Sequence, residues 1–357
     1  MIAKYSFIDL FPYILLLCFF LYVTFAKNVD KKHKANFIFI TILLFVILRY
    51  EVGWDYHSYL EIIQSGEKAI EESRYEPLSR FIFTISNALN FYPLTFITFG
   101  CLHLFLLRKV INKLCVDKPI AWIFYFLIPL FFLQDLSTIR QAVSTQFVFA
   151  SYLYLREKRY AKYVLLVLLG TLFHKSASIG FLLFVVNLKT FPNYVNWIIF
   201  VASFFAQAFA TTLVQRFITD DALLFYFNAM EASSTSLLNY YYYAINLFFL
   251  INYKNFANVN EEYAKYIQIS NIGIFIFNAL LFEPVTSTRL SLYFLYFWIP
   301  LFSAAHTISK TYRNRFVNLL PFIIVFLFFL MLYINGYNNN ILEKVSFIPY
   351  RFWFNNL

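Results

Sequence analysis

The chain has 357 residues, 61% of them apolar and only 13% charged, with a net charge of +10. A soluble domain carries about 25% charged residues, so this composition excludes an ordinary soluble enzyme. The basic excess suits connectors beside an anionic membrane face better than it suits nucleic acid.

Membrane helices need ~20 mainly apolar residues. Runs near 5–26, 37–49, 91–108, 119–136, 138–155, 194–211, 237–252, 266–283, 289–308 and 316–335 fit that need. The first begins within ten residues of Met1, and no small-residue cleavage site follows before "KNVDKKHK", so no cleavable signal peptide is expected. Two half-length runs, 161–173 and 176–188, flank "HKS". Each is only ~20 Å long at the helical rise, which makes a re-entrant hairpin or two short spans. The expectation is an all-α polytopic membrane protein with about 10–12 transmembrane helices. It forms one integral-membrane domain over 1–357, with an outer loop at 49–90 and smaller outer segments at 212–236 and 283–289. Cys18, Cys101 and Cys115 lie far apart and form no CxxC pair or Cys/His cluster, so neither a disulfide framework nor a zinc site is expected.

Basic connectors set the orientation. Most lysines and arginines fall in 27–36, 108–118, 156–162, 187–194, 252–265 and 309–315. All six lie on one side, the cytoplasmic one, if the N-terminus is outside and 161–188 crosses twice or dips in and out.

The unusual polar residues then gather on the outer face. "LRYEVGWDYHSYLEII" brings Arg49, Glu51, Asp55 and His57 directly after an apolar run, with Gly53 and Trp54 between them. An acidic amphipathic stretch follows, then "YEPLSRFIFTISNALN", where Pro77 opens a helix whose Ile82, Ile85 and Leu89 share a face. "DLSTIRQAVSTQF" places Arg140 and Ser144, and likewise Gln141 and Thr145, four residues apart on a helix. A polar stripe entering a membrane helix must face protein or a water-filled cavity. An arginine at a helix start opposes the macrodipole, so Arg140 needs an anionic partner: a ligand, or an internal ion pair with Asp135 or Glu76. "LLGTLFHKSASIGFLL" interrupts a long apolar stretch with His174 and Lys175, either a satisfied core histidine or a group at the outer mouth. "LLFEPVTSTRLSLYF" ends one span at Glu283 and opens the next with Arg289. Asp220 and Asp221 are adjacent, as for a divalent cation, although such pairs are commonly solvated or capping.

"RYEVGWDYHSY", "YEPLSR", "STIRQAV" and "LFHKSA", in this order and with an arginine opening a late span, resemble the EpsG family. That family is grouped with the Wzy-type polymerases of bacterial O-antigen, capsule and exopolysaccharide. The motif residues are Arg49, Gly53, Asp55 and Tyr56; Glu76 and Pro77; Ile139, Arg140 and Gln141; and Phe173, His174 and Ser176. Trp54 departs from the small or hydroxyl residue commoner at that place, which bears on substrate fit.

The resemblance implies a GT-C-like glycosyltransferase in the bacterial inner membrane with its active site facing the periplasm. It would move a growing glycan from undecaprenyl pyrophosphate to a hydroxyl of a lipid-linked repeat unit. Such chemistry needs cations for the pyrophosphate, and arginine matches phosphate bidentately; Arg49, Arg140 and Arg289 are the candidates. It also needs a general base, with Asp55, His174 and Glu76 available. Tyr56, Trp54, Gln141 and Lys175 are candidates for holding substrate. No metal or other cofactor is implied; a separate chain-length regulator is a partner such a protein can have. The rival readings are a lipid-linked oligosaccharide flippase, an O-antigen ligase and a membrane O-acyltransferase.

Overall fold

The computed structural model describes residues 7–217, 237–312, 323–334 and 347–353. The Asp220–Asp221 pair, most of 212–236, the start of the 316–335 run and most of the tail lie outside these residues. The described chain is almost entirely helical, as an all-α polytopic membrane protein requires. It divides into two compact units, Met1–Ser178 with Arg313–Leu357, and Ile179–Tyr312.

In the first unit, α1 (Phe11–Phe25) and α2 (Lys31–Ile47) are followed by three short helices, α3 (Tyr56–Gln64), α4 (Glu67–Glu72) and α5 (Pro77–Ala88). Then come α6 (Pro93–Leu114), α7 (Lys118–Leu127), α8 (Phe132–Ser137), α9 (Ile139–Arg156) and α10 (Tyr160–Thr171). Local chemistry sets the helix starts. Asp30 accepts from the Lys32 and His33 amides, Asp117 accepts from Ile120, and Pro77, Pro93 and Pro119 sit in first turns where no amide donor is needed. α6 packs against α2 and α9, and α10 lies along α9. Ile8–Phe25, Pro93–Leu114 and Asn193–Thr212 are long and apolar enough to cross a membrane.

Two expected spans are interrupted. The 119–136 run stops at Leu127 because Pro129 forces Ile128 into an extended conformation (ψ 110°). The chain then turns through Pro129–Phe131, fully buried, which is where non-helical backbone at membrane depth is tolerated. Likewise the 289–308 run is split around Tyr296–Phe297 ahead of Pro300. The arms around "HKS" are α10, 12 residues long, and the apolar stretch Lys175–Asn187, both short of a full span. The chain passes from the first unit to the second within the 3-10 stretch Lys175–Phe181.

The buried face of α5 is Ser79, Phe83 and Ser86, beside the stripe of Ile82, Ile85 and Leu89. Both serines bond inward, Ser79 Oγ to the Phe173 carbonyl (2.9 Å) and Thr95 Oγ to Ser86 Oγ (2.7 Å), so hydrogen bonding turns the helix. Phe81, Ile85 and Leu89 are left exposed, as on an interfacial helix.

A two-stranded ladder closes this unit. β1 (Arg49–Tyr50) pairs antiparallel with β2 (Arg351–Phe352), and the Trp353 amide donates to the Leu48 carbonyl (3.0 Å). Tyr13 Oη donates to the Phe347 carbonyl (2.6 Å), Tyr350 Oη donates to that of Phe45, and Arg351 pairs with Glu51 (2.7 Å).

The second unit holds α11 (Leu182–Asn187), α12 (Asn193–Phe217), α13 (Leu237–Ile251), α14 (Tyr253–Val259), α15 (Glu261–Ala279), α16 (Pro284–Leu295) and α17 (Trp298–Tyr312). α15 packs against all of the others. Gln268, Asn271 and Asn278 of α15 are its buried polar ties. Gln268 holds Val186, Lys189 and Phe191 backbone groups (2.7–2.9 Å), Asn271 holds the Asn196 carbonyl and Asn246 (both 2.8 Å), and Asn278 holds Ser203 (2.7 Å) and Tyr243 (2.5 Å). Such bonds hold helices together where apolar burial gives no preference between lipid and protein.

Candidate functional site

The four motifs converge in the first unit on one apolar cluster. Tyr56 and Tyr59 come from α3, Phe83 from α5, Phe96 and Phe99 from α6, Ile139 and Val143 from α9, and Phe173 from the turn after α10. Tyr56 stacks on Phe96 (centroids 4.2 Å apart), and Phe147 stacks on Phe173 (5.5 Å). Close packing of these side chains holds the assembly together, and it fixes the polar residues at its rim.

Glu76 is the hub of that rim. It occupies the N-cap position of α5 but does not cap its own helix. Its Oε2 pairs with Arg140 Nη1 at the start of α9, and its Oε1 accepts the Lys175 amide (2.9 Å). The Leu78 amide donates to the Leu172 carbonyl (3.1 Å), so the first turn of α5 is satisfied by the end of α10 instead. The Arg140 guanidinium also lies over the Tyr75 ring (4.2 Å) and bonds the Tyr59 hydroxyl. Burial pushes the Tyr59 hydroxyl up to about 12, so it stays protonated at any physiological pH. Of the two internal partners open to Arg140, Glu76 is the one used. Asp135 is instead buried with His103 (2.8 Å) and Tyr125 (3.1 Å).

His174 is half-buried and its Nδ1 meets Ser176 Oγ at 2.6 Å; Lys175 beside it is exposed. Gln141, Ser144 and Thr145 are buried, so the polar stripe of α9 faces protein.

The "RYEVGWDY" segment is clipped to the end of α8. Gly53 has φ +105°, and a Cβ there would stand 2.5 Å from the Leu136 carbonyl oxygen, so both backbone and space demand glycine. The Trp54 amide donates to Ser137 Oγ (3.1 Å). This leaves Trp54 46% exposed, Asp55 half-buried at the head of α3, and Tyr56 buried with its hydroxyl pushed up to about 12 by burial.

Arg49 is 2% exposed, with its guanidinium 5.5 Å from the Phe96 ring centre. It lines a narrow gap with His103, Asp135, Gly100 and Ile139, and its Nε and Nη1 have no hydrogen-bond partner among the described residues. Arg289 is half-buried in α16 of the second unit, six residues after Glu283. Glu283 caps α16 through the Val285 (3.3 Å) and Thr286 amides.

A family model for the EpsG family matches residues 33–352. The chain belongs to the EpsG family. Membership of EpsG assigns a polysaccharide-polymerase type of role and glycosyl transfer as the general activity. No curated protein matches the chain, and no solved structure does. The match spans every motif above and reaches the β2 strand.

Sequence reasoning missed His103, Tyr59 and the strand at Arg351–Phe352. His103 was detectable as a lone imidazole inside the apolar run of α6. Nothing in the sequence marks a two-residue strand that pairs with another some 300 positions away.

Proposed function

We propose that this EpsG-family protein is a lipid-pyrophosphate-dependent polysaccharide polymerase working at the periplasmic face of the bacterial inner membrane. The observation that carries the reading is the convergence on Glu76, whose one carboxylate holds Arg140 and the His174–Lys175 turn beside Asp55's helix. Such a rim presents cations and a titratable base over a rigid aromatic floor, which is what glycosyl transfer from a diphosphate carrier requires.

In this mechanism the acceptor hydroxyl of the lipid-linked repeat unit attacks C1 of the growing glycan. The C1–oxygen bond to undecaprenyl pyrophosphate breaks, the pair of electrons leaves with the pyrophosphate, and the hydroxyl proton passes to a base. Asp55 is our first choice for that base and His174, oriented by Ser176, the second. Glu76 is committed to Arg140 and Lys175, so its role is to orient them. Arg140 and Lys175 receive the pyrophosphate charge; a positioned cation at a developing anion is commonly the largest single contribution to such a step. Buried Arg49 anchors the "RYEVGWDY" segment and adds positive potential beneath it. Arg289, in the second unit, is assigned the same class of contact, an arginine for an anionic group. Trp54, Tyr56 and Gln141 shape the sugar-binding surface, Trp54 by an exposed ring and the other two from below. The pyrophosphate charge is met by arginine and lysine without a metal.

The test is complementation of a strain lacking this gene with Arg140→Ala and Arg140→Lys forms verified in the membrane at parental levels. Polymer ladders should collapse to single-repeat products on the periplasmic side, with poor recovery for lysine. Polymer stranded on the carrier lipid would indicate a ligase, and repeat units held at the cytoplasmic face a flippase. A normal ladder from Arg140→Ala would overturn the assigned role.

A further inference from the structure

We propose that a basic corner around Tyr154, in the first unit, is a binding site for the phosphate headgroup of an anionic phospholipid. Three cations from two segments converge on this one ring. Lys109, near the end of α6, donates to Tyr154 Oη (3.0 Å) and lies 5.1 Å from the ring centre. Arg159 and Lys162, at the start of α10, stand 5.3 and 5.8 Å from it. The backbone builds this arrangement: the Arg159 amide donates to the Tyr154 carbonyl (2.9 Å), and Lys158 takes a left-handed conformation (φ 57°) to close the turn.

Gathering like charges on one ring is costly unless an anion offsets them. Glu157 pairs with Arg159 (3.1 Å), and that pair is about half exposed. No ion pair joins Lys109 or Lys162 to a carboxylate among the described residues. Arg159 and Lys162 also open a helix, where the macrodipole disfavours cations. Cation–π contact with Tyr154 offsets only ~0.5–1 kcal/mol at such exposed sites.

A lipid is favoured over a free anion by what borders the cations. Phe105, one turn before Lys109, is 50% exposed; Leu165 and Leu168, one and two turns after Lys162, are 55% and 48% exposed. α6 is itself long and apolar enough to cross a membrane. Cations at the helix ends with exposed apolar side chains immediately along the same helices match a phosphate joined to acyl chains.

The experiment is native mass spectrometry of the full chain purified in detergent and titrated with phosphatidylglycerol, phosphatidylcholine or inorganic phosphate. Phosphatidylglycerol should bind in preference to phosphatidylcholine. Lys109→Ala/Arg159→Ala/Lys162→Ala should weaken it by about fivefold per cation removed, whereas Lys109→Arg/Lys162→Arg should bind like the parent. Removing two exposed lysines elsewhere, Lys27→Ala/Lys32→Ala, should leave it unchanged. Three results would overturn the site: equal binding of the two lipids, equal loss in the Lys27/Lys32 control, or displacement of phosphatidylglycerol by inorganic phosphate at matched concentration.

Discussion

Glu76–Pro77 and Glu283–Pro284 each begin a helix of 12 residues, one in each compact unit, yet the two carboxylates are used in opposite ways. Glu283 turns back on its own first turn and caps it through the Val285 and Thr286 amides. Glu76 leaves its own amides to others and reaches Arg140, 64 positions along the chain, and the Lys175 amide, 99 positions along. The same dipeptide therefore makes a self-contained helix start in one unit and a tie between three segments in the other. What differs is what surrounds it. The first turn of α5 meets the Leu172 and Phe173 carbonyls, which satisfy the Leu78 amide and the Ser79 hydroxyl and free the Glu76 side chain for other partners.

Substitutions can break or sharpen this contrast. The largest effect is expected from Glu76→Ala, which leaves Arg140 mostly buried without its carboxylate. Loss of one partner of such a pair costs ~3–5 kcal/mol, to be read as a lowered thermal midpoint in detergent together with loss of the polymer ladder. Next, Glu76→Asp is expected to lose ladder length, since the shorter side chain cannot reach Arg140 and the Lys175 amide together. Glu283→Asp should be neutral within about 0.5 kcal/mol, because aspartate is a good cap. Equal behaviour of the two Glu→Asp variants would dissolve the distinction. Ser79→Ala removes the bond to Phe173 and should cost ~1 kcal/mol, measured by the same melt. Of the alanine substitutions at these corners the smallest loss, ~1 kcal/mol or less, is expected from Glu283→Ala, with the ladder retained.

Much of this was legible in the chain. The apolar runs and the basic connectors announce a polytopic helical protein because hydrocarbon admits few other backbones. The order of "RYEVGWDY", "EPLSR", "IRQ" and "FHKS" was enough for the family. Arg140's need for an anion could be read from its position, and Glu76 was one of two named partners; choosing between them required knowing that His103 and Tyr125 already hold Asp135. The breaks at Pro129 and Pro300 follow from a rule the sequence displays, but hydropathy averaged over a window runs through them. The buried face of α5 was not legible, because apolar periodicity ranks isoleucine above serine. Here the serines face inward, Ser79 bonding the Phe173 carbonyl and Ser86 accepting from the Thr95 hydroxyl, where a larger side chain would hold these partners away.

By itself the sequence determined the class of most segments: apolar helices, glycine at position 53, and most lysines and arginines in the connectors. These are local matters of hydropathy, backbone freedom and charge solvation. Only the tertiary structure decided which charges meet, since an ion pair between residues dozens of positions apart depends on how aromatic side chains from α3, α5, α6 and α9 pack beneath it. It also decided that Arg49 is enclosed and Trp54 exposed, five residues apart, because the clip of Gly53 onto Leu136 turns the chain between them.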